Sequence, residues 1–324
     1  MGLEVLARSR NTVKVLVTGG CGYVGTKLTE ALLTSTPHEI DVLDIQWFGN
    51  HLKSHPRLTV HHTDLCDFDS LDLSAYDTIF HLANIANDPS VDLDPYTSWK
   101  VNVLATMRLI DAAARRGARQ FIFASSASVY GLKQEERVTE DLELCPLSEY
   151  NRTKMVAERV VLSYSGAITT TVVRPATVCG YSPRMRLDTV VNMLTMQALT
   201  KGIITVLGGG QVRPVVHIDD LIDLYLFAFE HRLAGVYNAG FENLTVMDIA
   251  SIVARELGAR VEVLPSNGPR SYRVCSDRLL ATGFVPRRDV TMAIREIAQA
   301  HRDGWLRDDA HCYNVKWMTA NGFK

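Results

Sequence analysis

The chain has 324 residues, 47% of them hydrophobic and 22% charged, with 34 basic against 36 acidic side chains for a formal charge of −2. These are globular values, which exclude disorder and a fibrous architecture as overall descriptions. The near-zero balance gives no long-range attraction to nucleic acid or anionic lipid. No apolar run reaches the roughly 18–20 residues of a membrane span, and residues 1–14 carry charges without an apolar signal core. Six scattered cysteines with no CxxC pair suit reduced thiols, so the expected location is cytoplasmic and no metal site is expected.

The first half alternates. Short β-branched or apolar runs at 13–18, 39–44, 58–62, 78–82, 120–124 and 169–174 read as strands. Helical spacing covers 22–33, 102–116 and about 148–164, the second closed by Gly117. Repeated strand–helix alternation predicts an α/β fold, a doubly wound parallel sheet with helices on both faces. After Pro175 the rhythm breaks, with a helix expected over 188–200, a strand-then-helix pattern over 217–229, a short strand within 235–240 and a helix over 245–257. The division expected is one domain over 1–175 with a return segment at about 216–240, and a smaller lobe from 176–215 and 241–324. The residues from Trp305 onward show no clear period.

The first strand runs directly into TGGCGYVG, whose spacing is G-x-x-G-x-x-G over Gly19, Gly22 and Gly25. The first glycine permits a tight turn, the second admits a pyrophosphate to the backbone, and the third lets helix and strand pack closely. The amides of the following helix, at Tyr23 and Val24, meet the anion. Asp44 closes the second strand, 19 residues beyond Gly25. A carboxylate there accepts ribose hydroxyls and repels a 2′-phosphate, which favours NAD over NADP. Asp64 and Leu65, after the third strand, are candidates for the adenine edge.

Tyr150 and Lys154 stand four apart, one helical turn, on one face of the third helix. A free phenol, with its pKa near 10, is a poor base at pH 7. A nearby ammonium and an oxidised nicotinamide both favour the phenolate, which then exchanges a proton with a carbinol. Ser126, in SSASVYG at the end of the fifth strand, can donate to the same substrate oxygen; Ser125 and Ser128 compete for that role. His81, His217, Cys21 and Cys179 read as interior packing residues rather than catalysts.

Together these residues resemble the extended short-chain dehydrogenase/reductase superfamily, in its NAD-dependent nucleotide-sugar epimerase/dehydratase branch. The marks are TGGCGYVG, Asp44, FHLA at 80–83, KVNVLAT around Asn102, SSASVYG, YNRTK and RPVVHIDD at 213–220. The resemblance spans about 13–290 and implies a Rossmann domain with a smaller C-terminal substrate lobe. It implies Ser126, Tyr150 and Lys154 as the catalytic set. For the cofactor NAD it implies Tyr150 and Lys154 again, with Leu82, Ala83 and Asn102. It implies Arg213 as a grip on the substrate diphosphate and a homodimer built on the two long helices near 102–116 and 149–164.

Departures from the family pattern narrow the chemistry. Dehydratases of the branch carry Asp-Glu after the catalytic Ser/Thr, and decarboxylating members commonly carry a Glu there; this chain has Ala127-Ser128. Elimination therefore lacks its acid and base, and epimerisation at C4 through a transient 4-keto sugar is the expected reaction. The alternatives are an NAD(P)H-dependent 4-ketoreductase using the same residues, and a non-catalytic NAD(H) sensor. Thr177 stands where epimerases often place an amide, and Pro214 where an Asp follows the arginine. Arg184 or Arg186, in the stretch 180–192, is expected at the phosphates or sugar of a nucleotide-diphosphate sugar, and Arg270 where relatives place a second phosphate-binding arginine.

Overall fold

The computed structural model describes residues 12–265 and 271–322. Strand β1 (Lys14–Thr18) leads through the glycine loop into α1 (Tyr23–Ser35), followed by β2 (Glu39–Asp44), β3 (Leu58–His62) and β4 (Thr78–His81). Two short helices, α2 (Asp88–Val91) and α3 (Pro95–Trp99), precede α4 (Thr106–Arg115), β5 (Gln120–Ala124), α5 (Glu149–Ser163) and β6 (Thr169–Pro175). Further on come β7 (Thr177–Cys179), α6 (Val190–Lys201), β8 (Ile203–Leu207), β9 (Val212–His217), α7 (Ile218–His231) and β10 (Gly235–Ala239). The chain ends through β11 (Glu242–Thr245), α8 (Val246–Leu257), β12 (Arg260–Leu264), α9 (Asp277–Leu280), α10 (Val290–Arg302) and α11 (Asn314–Ala320).

Seven strands form one sheet in the order β10-β6-β5-β4-β1-β2-β3, every pair parallel. This is the expected doubly wound Rossmann sheet. The period of two divides its strands between two cores. Val15 and Val17 face α1 and α7, packing with Leu28, Leu32 and Tyr225. Leu16 faces the other way, into a cluster with Leu109, Ile110 and Phe121. Because both faces are covered, β1, β4 and β5 are buried along almost their whole length.

The second half of the chain adds a three-stranded sheet, β11-β9-β7, and the parallel pair β12-β8. Their core joins Leu194 of α6, Ile204 and Val206 of β8, Val253 of α8 and Ile294 of α10. A further apolar cluster is a seam where Tyr23 of α1 meets Met185, Leu187, Ile297, Leu306 and Cys312.

Three elements differ from the sequence reading. The helix expected from 188 begins at Val190, because Asp188 pairs with Arg186 instead of starting the turn. The helix expected over 102–116 extends back to α3 through a π-helical segment, Lys100–Ala105. Such bulges re-aim a side chain, and this one contains Asn102. Beyond Trp305, where no period is visible, the chain forms α11, whose contacts lie against the crevice described next.

Candidate active site

The crevice opens at the C-terminal ends of β1 and β4, where the strand order reverses and ligands of such sheets bind. Gly19 has φ +74°, and a Cβ there would sit 2.6 Å from the Ala83 nitrogen. A Cβ on Gly25 would sit 2.0 Å from the Gly19 carbonyl oxygen, so only glycine lets α1 start this close to the turn. Gly22 caps α1 with no side-chain hydrogen bond, and the first turn holds no acidic residue. The helix end therefore presents open amides and partial positive charge to the crevice, as a pyrophosphate requires. Gly22, Tyr23, Val24, Leu82 and Ala83 all line it.

Asp44 lies at the far end of the crevice. One carboxylate oxygen accepts from the Cys21 amide at 2.9 Å and the other from the Gln46 amide at 2.6 Å. Burial raises its pKa above the ordinary carboxylate value, and those two amides pull it back. Asp64 caps the turn after β3 by accepting from the Cys66 amide at 2.8 Å, and with Leu65 it lines the same end. Cleft, helix end and terminal carboxylate thus fit NAD.

Tyr150 enters the crevice from the first turn of α5, which Ser148 caps through the Asn151 amide at 3.2 Å. Ser126 follows β5 and lines the crevice together with Tyr150. Its Oγ lies 2.8 Å from the Ser128 Oγ, which donates to Asn151 Oδ1 at 2.6 Å, so a hydroxyl chain aims the serine. Burial pushes the Tyr150 phenol up to about 12, opposed by the Arg186 charge and by the Ser126 hydrogen bond.

Lys154 lies beneath the crevice floor, over the Phe123 ring, and its ammonium donates to the Ala124 carbonyl at 2.7 Å. Burial pulls it down to about 7 against the pull of Glu158. After burial, the charge that acts most on the phenol is that of Arg186, which sequence spacing does not associate with Tyr150. Arg186 stays charged because Asp188, 2.9 Å away, outweighs the opposing effect of burial.

The competing serine Ser125 has a different task. Its hydroxyl bonds Glu158, which forms a buried pair with Arg174 at 2.7 Å; Arg174 also donates to the Tyr130 hydroxyl at 2.7 Å. Asn102 accepts from the Ile85 amide at 2.9 Å and donates to the Thr153 hydroxyl at 3.2 Å, pinning the loop after β4 to α5. His81 bridges the hydroxyls of Thr18 and Thr106, 2.7 Å from each, and burial holds it down at about 3, hence neutral.

Thr177, Arg184, Arg186 and Arg213 all line the crevice, while Arg270 lies outside the described residues. Arg184 does not accompany Tyr150 but stacks on Phe48, its guanidinium 4.0 Å from the ring centroid, within electrostatic reach of Asp44. Sequence reasoning missed Trp47, Phe48, Asp188, Tyr272 and Asn314, which also line the crevice. Trp47 and Phe48 could have been found from their position just after Asp44; nothing local marks Asn314. In the seam, His217, Asp219 and Glu296 offer ligand atoms within 4.8 Å of one another. Lys27 already neutralises Asp219 at 2.5 Å, and Glu296 pairs with His217 at 3.3 Å.

Known proteins share this geometry. The model of the NAD-dependent epimerase/dehydratase family matches residues 15–240. YtcB of Bacillus subtilis (strain 168), a UDP-glucose epimerase by name and itself uncharacterized, is 32% identical over 262 residues, 74% of this chain and 81% of its own length. UDP-glucuronic acid decarboxylase 1 of Arabidopsis thaliana is 29% identical over 280 residues, 82% of this chain but 63% of its own. The structure of the Thermus thermophilus UDP-glucose 4-epimerase with NAD superposes with a TM-score of 0.79 at 26% identity, covering 90% of this chain and 99% of that one. The chain belongs to the NAD-dependent epimerase/dehydratase family, whose extended short-chain dehydrogenase/reductase fold and cofactor crevice it carries.

Proposed function

We propose that the protein is an NAD-dependent epimerase that inverts C4 of a nucleotide-diphosphate sugar through a transient 4-keto intermediate. The observation that carries this reading is that Ser126 and Tyr150 line the same crevice as the glycine loop and Asp44, with Ala127 where eliminating relatives place an acid. In this reading Tyr150, as phenolate, takes the C4 hydroxyl proton, and Ser126 donates to the same oxygen as it becomes a carbonyl. NAD, when bound, supplies the hydride acceptor at C4 and a positive charge beside the phenol. Tyr150 then returns its proton to the oxygen of the inverted carbinol, so the protein ends each cycle in the protonation state it began with. Arg213 and Thr177 are the proposed contacts to the substrate diphosphate, the arginine as a planar bidentate donor. The A. thaliana relative decarboxylates a UDP-uronic acid by name; Ala127 weighs against that outcome here.

The test is incubation of the purified protein with UDP-, GDP- and dTDP-sugars without added NAD. Catalytic turnover to the C4 epimer, lost by about 10²–10⁴-fold in Tyr150→Phe, is the expected result. No turnover under those conditions, with stoichiometric consumption of added NADH on a 4-keto sugar nucleotide, would instead identify a 4-ketoreductase. We also propose a homodimer in which α4 and α5 pack against their copies, supported by the exposure of Leu104 and Met107 along that helix. Light scattering at twice 36.0 kDa checks it.

A further inference from the structure

The strand-to-helix loop between β7 and α6 carries a buried arginine with an incomplete set of partners. Arg184 is 3% exposed. Its Nη2 donates to the Asn314 side-chain oxygen at 2.6 Å, and its Nη1 to the Met185 carbonyl at 3.3 Å. Its Nε is buried without a hydrogen-bond partner, and no described carboxylate forms an ion pair with it. Burial, with the like charge of Arg186, pulls its pKa down to about 10, against the opposing pull of Asp188 and Asp44. Leaving a donor of a charged group unpaired in the interior is costly, so such a site is built for an anion.

Helix α11 holds this arginine in place. The Cys312 carbonyl accepts from the Leu187 amide at 2.8 Å, and the Asn314 amide donates to Asp188 at 3.3 Å. Across the crevice, the Trp317 indole donates to the Trp47 carbonyl at 2.6 Å, and Met318 packs with Trp47, Phe48 and Ile85. The C-terminal segment therefore ties the loop after β2 to the loop after β7. The loop after β2 flanks the end of the crevice that Asp44 marks as the adenosine side, while the loop after β7 reaches that end through Arg184 and the Tyr150 end through Arg186.

We propose that Arg184 is a cofactor residue, a charged partner for the phosphates of the bound dinucleotide, and that α11, through Asn314 and Trp317, is a strap that slows dinucleotide release. A nucleotide sugar offers the same diphosphate chemistry. Stacking on Phe48 and proximity to Asp44 place Arg184 with the dinucleotide instead. The inference rests on the dinucleotide crevice and is independent of which sugar is turned over. A slowly released cofactor is also what a reaction that returns its hydride each cycle requires.

The test uses the full chain loaded with NADH and chased with excess NAD in a stopped-flow fluorimeter. Loss of a charge-assisted contact predicts NADH dissociation faster by about 10–100-fold in Arg184→Gln. Asn314→Ala, which removes the acceptor of one guanidinium hydrogen bond, and Trp317→Phe, which removes one neutral hydrogen bond, should each accelerate it by about 3–10-fold. Arg184→Lys should restore part of the loss. UDP binding to the NAD-loaded protein, measured by calorimetry, should stay within about twofold in all of them. Unchanged NADH release in all the variants overturns the proposal; so does a weakened UDP affinity with normal NADH release, which would return Arg184 to the substrate. If Arg184→Gln does not fold, Asn314→Ala and Trp317→Phe decide, since both leave the arginine in place. A wild-type chain that binds no NADH would refute the dinucleotide reading and this proposal together, whereas epimerase activity could fail without touching either.

Discussion

The Tyr150 phenol answers to Arg186, which lies 36 residues downstream of it, while Lys154, its helical neighbour, turns its ammonium to the Ala124 carbonyl. Removing the arginine charge therefore raises a phenol that burial has already lifted to about 12. Where Tyr150 must lose its proton, the rate rises with pH toward its working pKa. Arg186→Met should shift the rising limb of the kcat profile to higher pH and lower kcat at pH 7, by about tenfold for each pKa unit gained. An unmoved profile with only KM raised would make Arg186 a substrate contact alone.

Lys154 makes stability depend on pH in a stated direction. Its folded pKa, about 7, lies below the ordinary 10.5, so between these values the unfolded chain holds the extra proton. Stability contributed through this residue therefore rises as pH climbs from about 7 to 10.5, and the full cost of burying the ammonium is present below 7. Urea unfolding of the NAD-free protein should find Lys154→Met more stable than wild type at about pH 6, with the gap closing by about pH 10. A gap independent of pH would contradict the assignment.

Behind the crevice, Glu158 and Arg174 pair with side chains 1% and 5% exposed. Glu158→Gln leaves the guanidinium buried without a countercharge and should destabilise the fold by about 3–5 kcal/mol. Pairing it with Arg174→Met should recover much of that loss, because an apolar replacement of the arginine leaves no stranded charge. Denaturant midpoints of the two single variants and the double variant test the coupling.

The glycine loop offers a steric contrast. A methyl group on Gly25 meets backbone on both nearby sides, 2.0 Å from the Gly19 oxygen and 2.7 Å from the Gly20 Cα, whereas one on Gly166 meets nothing within 4 Å. Gly25→Ala should lower NAD affinity by at least about tenfold and reduce Tm, since α1 must back away from the turn. Gly166→Ala should change neither. Equal NAD affinity in both variants would mean that the close approach is not needed.

Much of this site is legible along the chain because its parts are local. Gly19, Gly22 and Gly25 announce themselves by spacing within one strand–turn–helix unit, and Asp44 by closing the next strand. Tyr150 and Ser126 sit at the start of a helix and the end of a strand, positions that a parallel sheet directs to one rim. Those inferences require only periodicity and the parallel-sheet rule. The partners of Arg184 and Arg186 obey no such rule. Asn314 meets Arg184 across 130 residues and Trp317 meets Trp47 across 270, and each contact exists because α11 packs its Met318 against the loops that follow β2 and β4. Lys154 shows the same limit at close range: helical spacing put it on the face of Tyr150, but the direction of its ammonium followed from the carbonyl at the end of β5. Periodicity reports which face of an element is apolar. Which charge ends beside which group depends on how the faces dock, since side-chain electrostatics act over a few ångströms that no sequence interval measures.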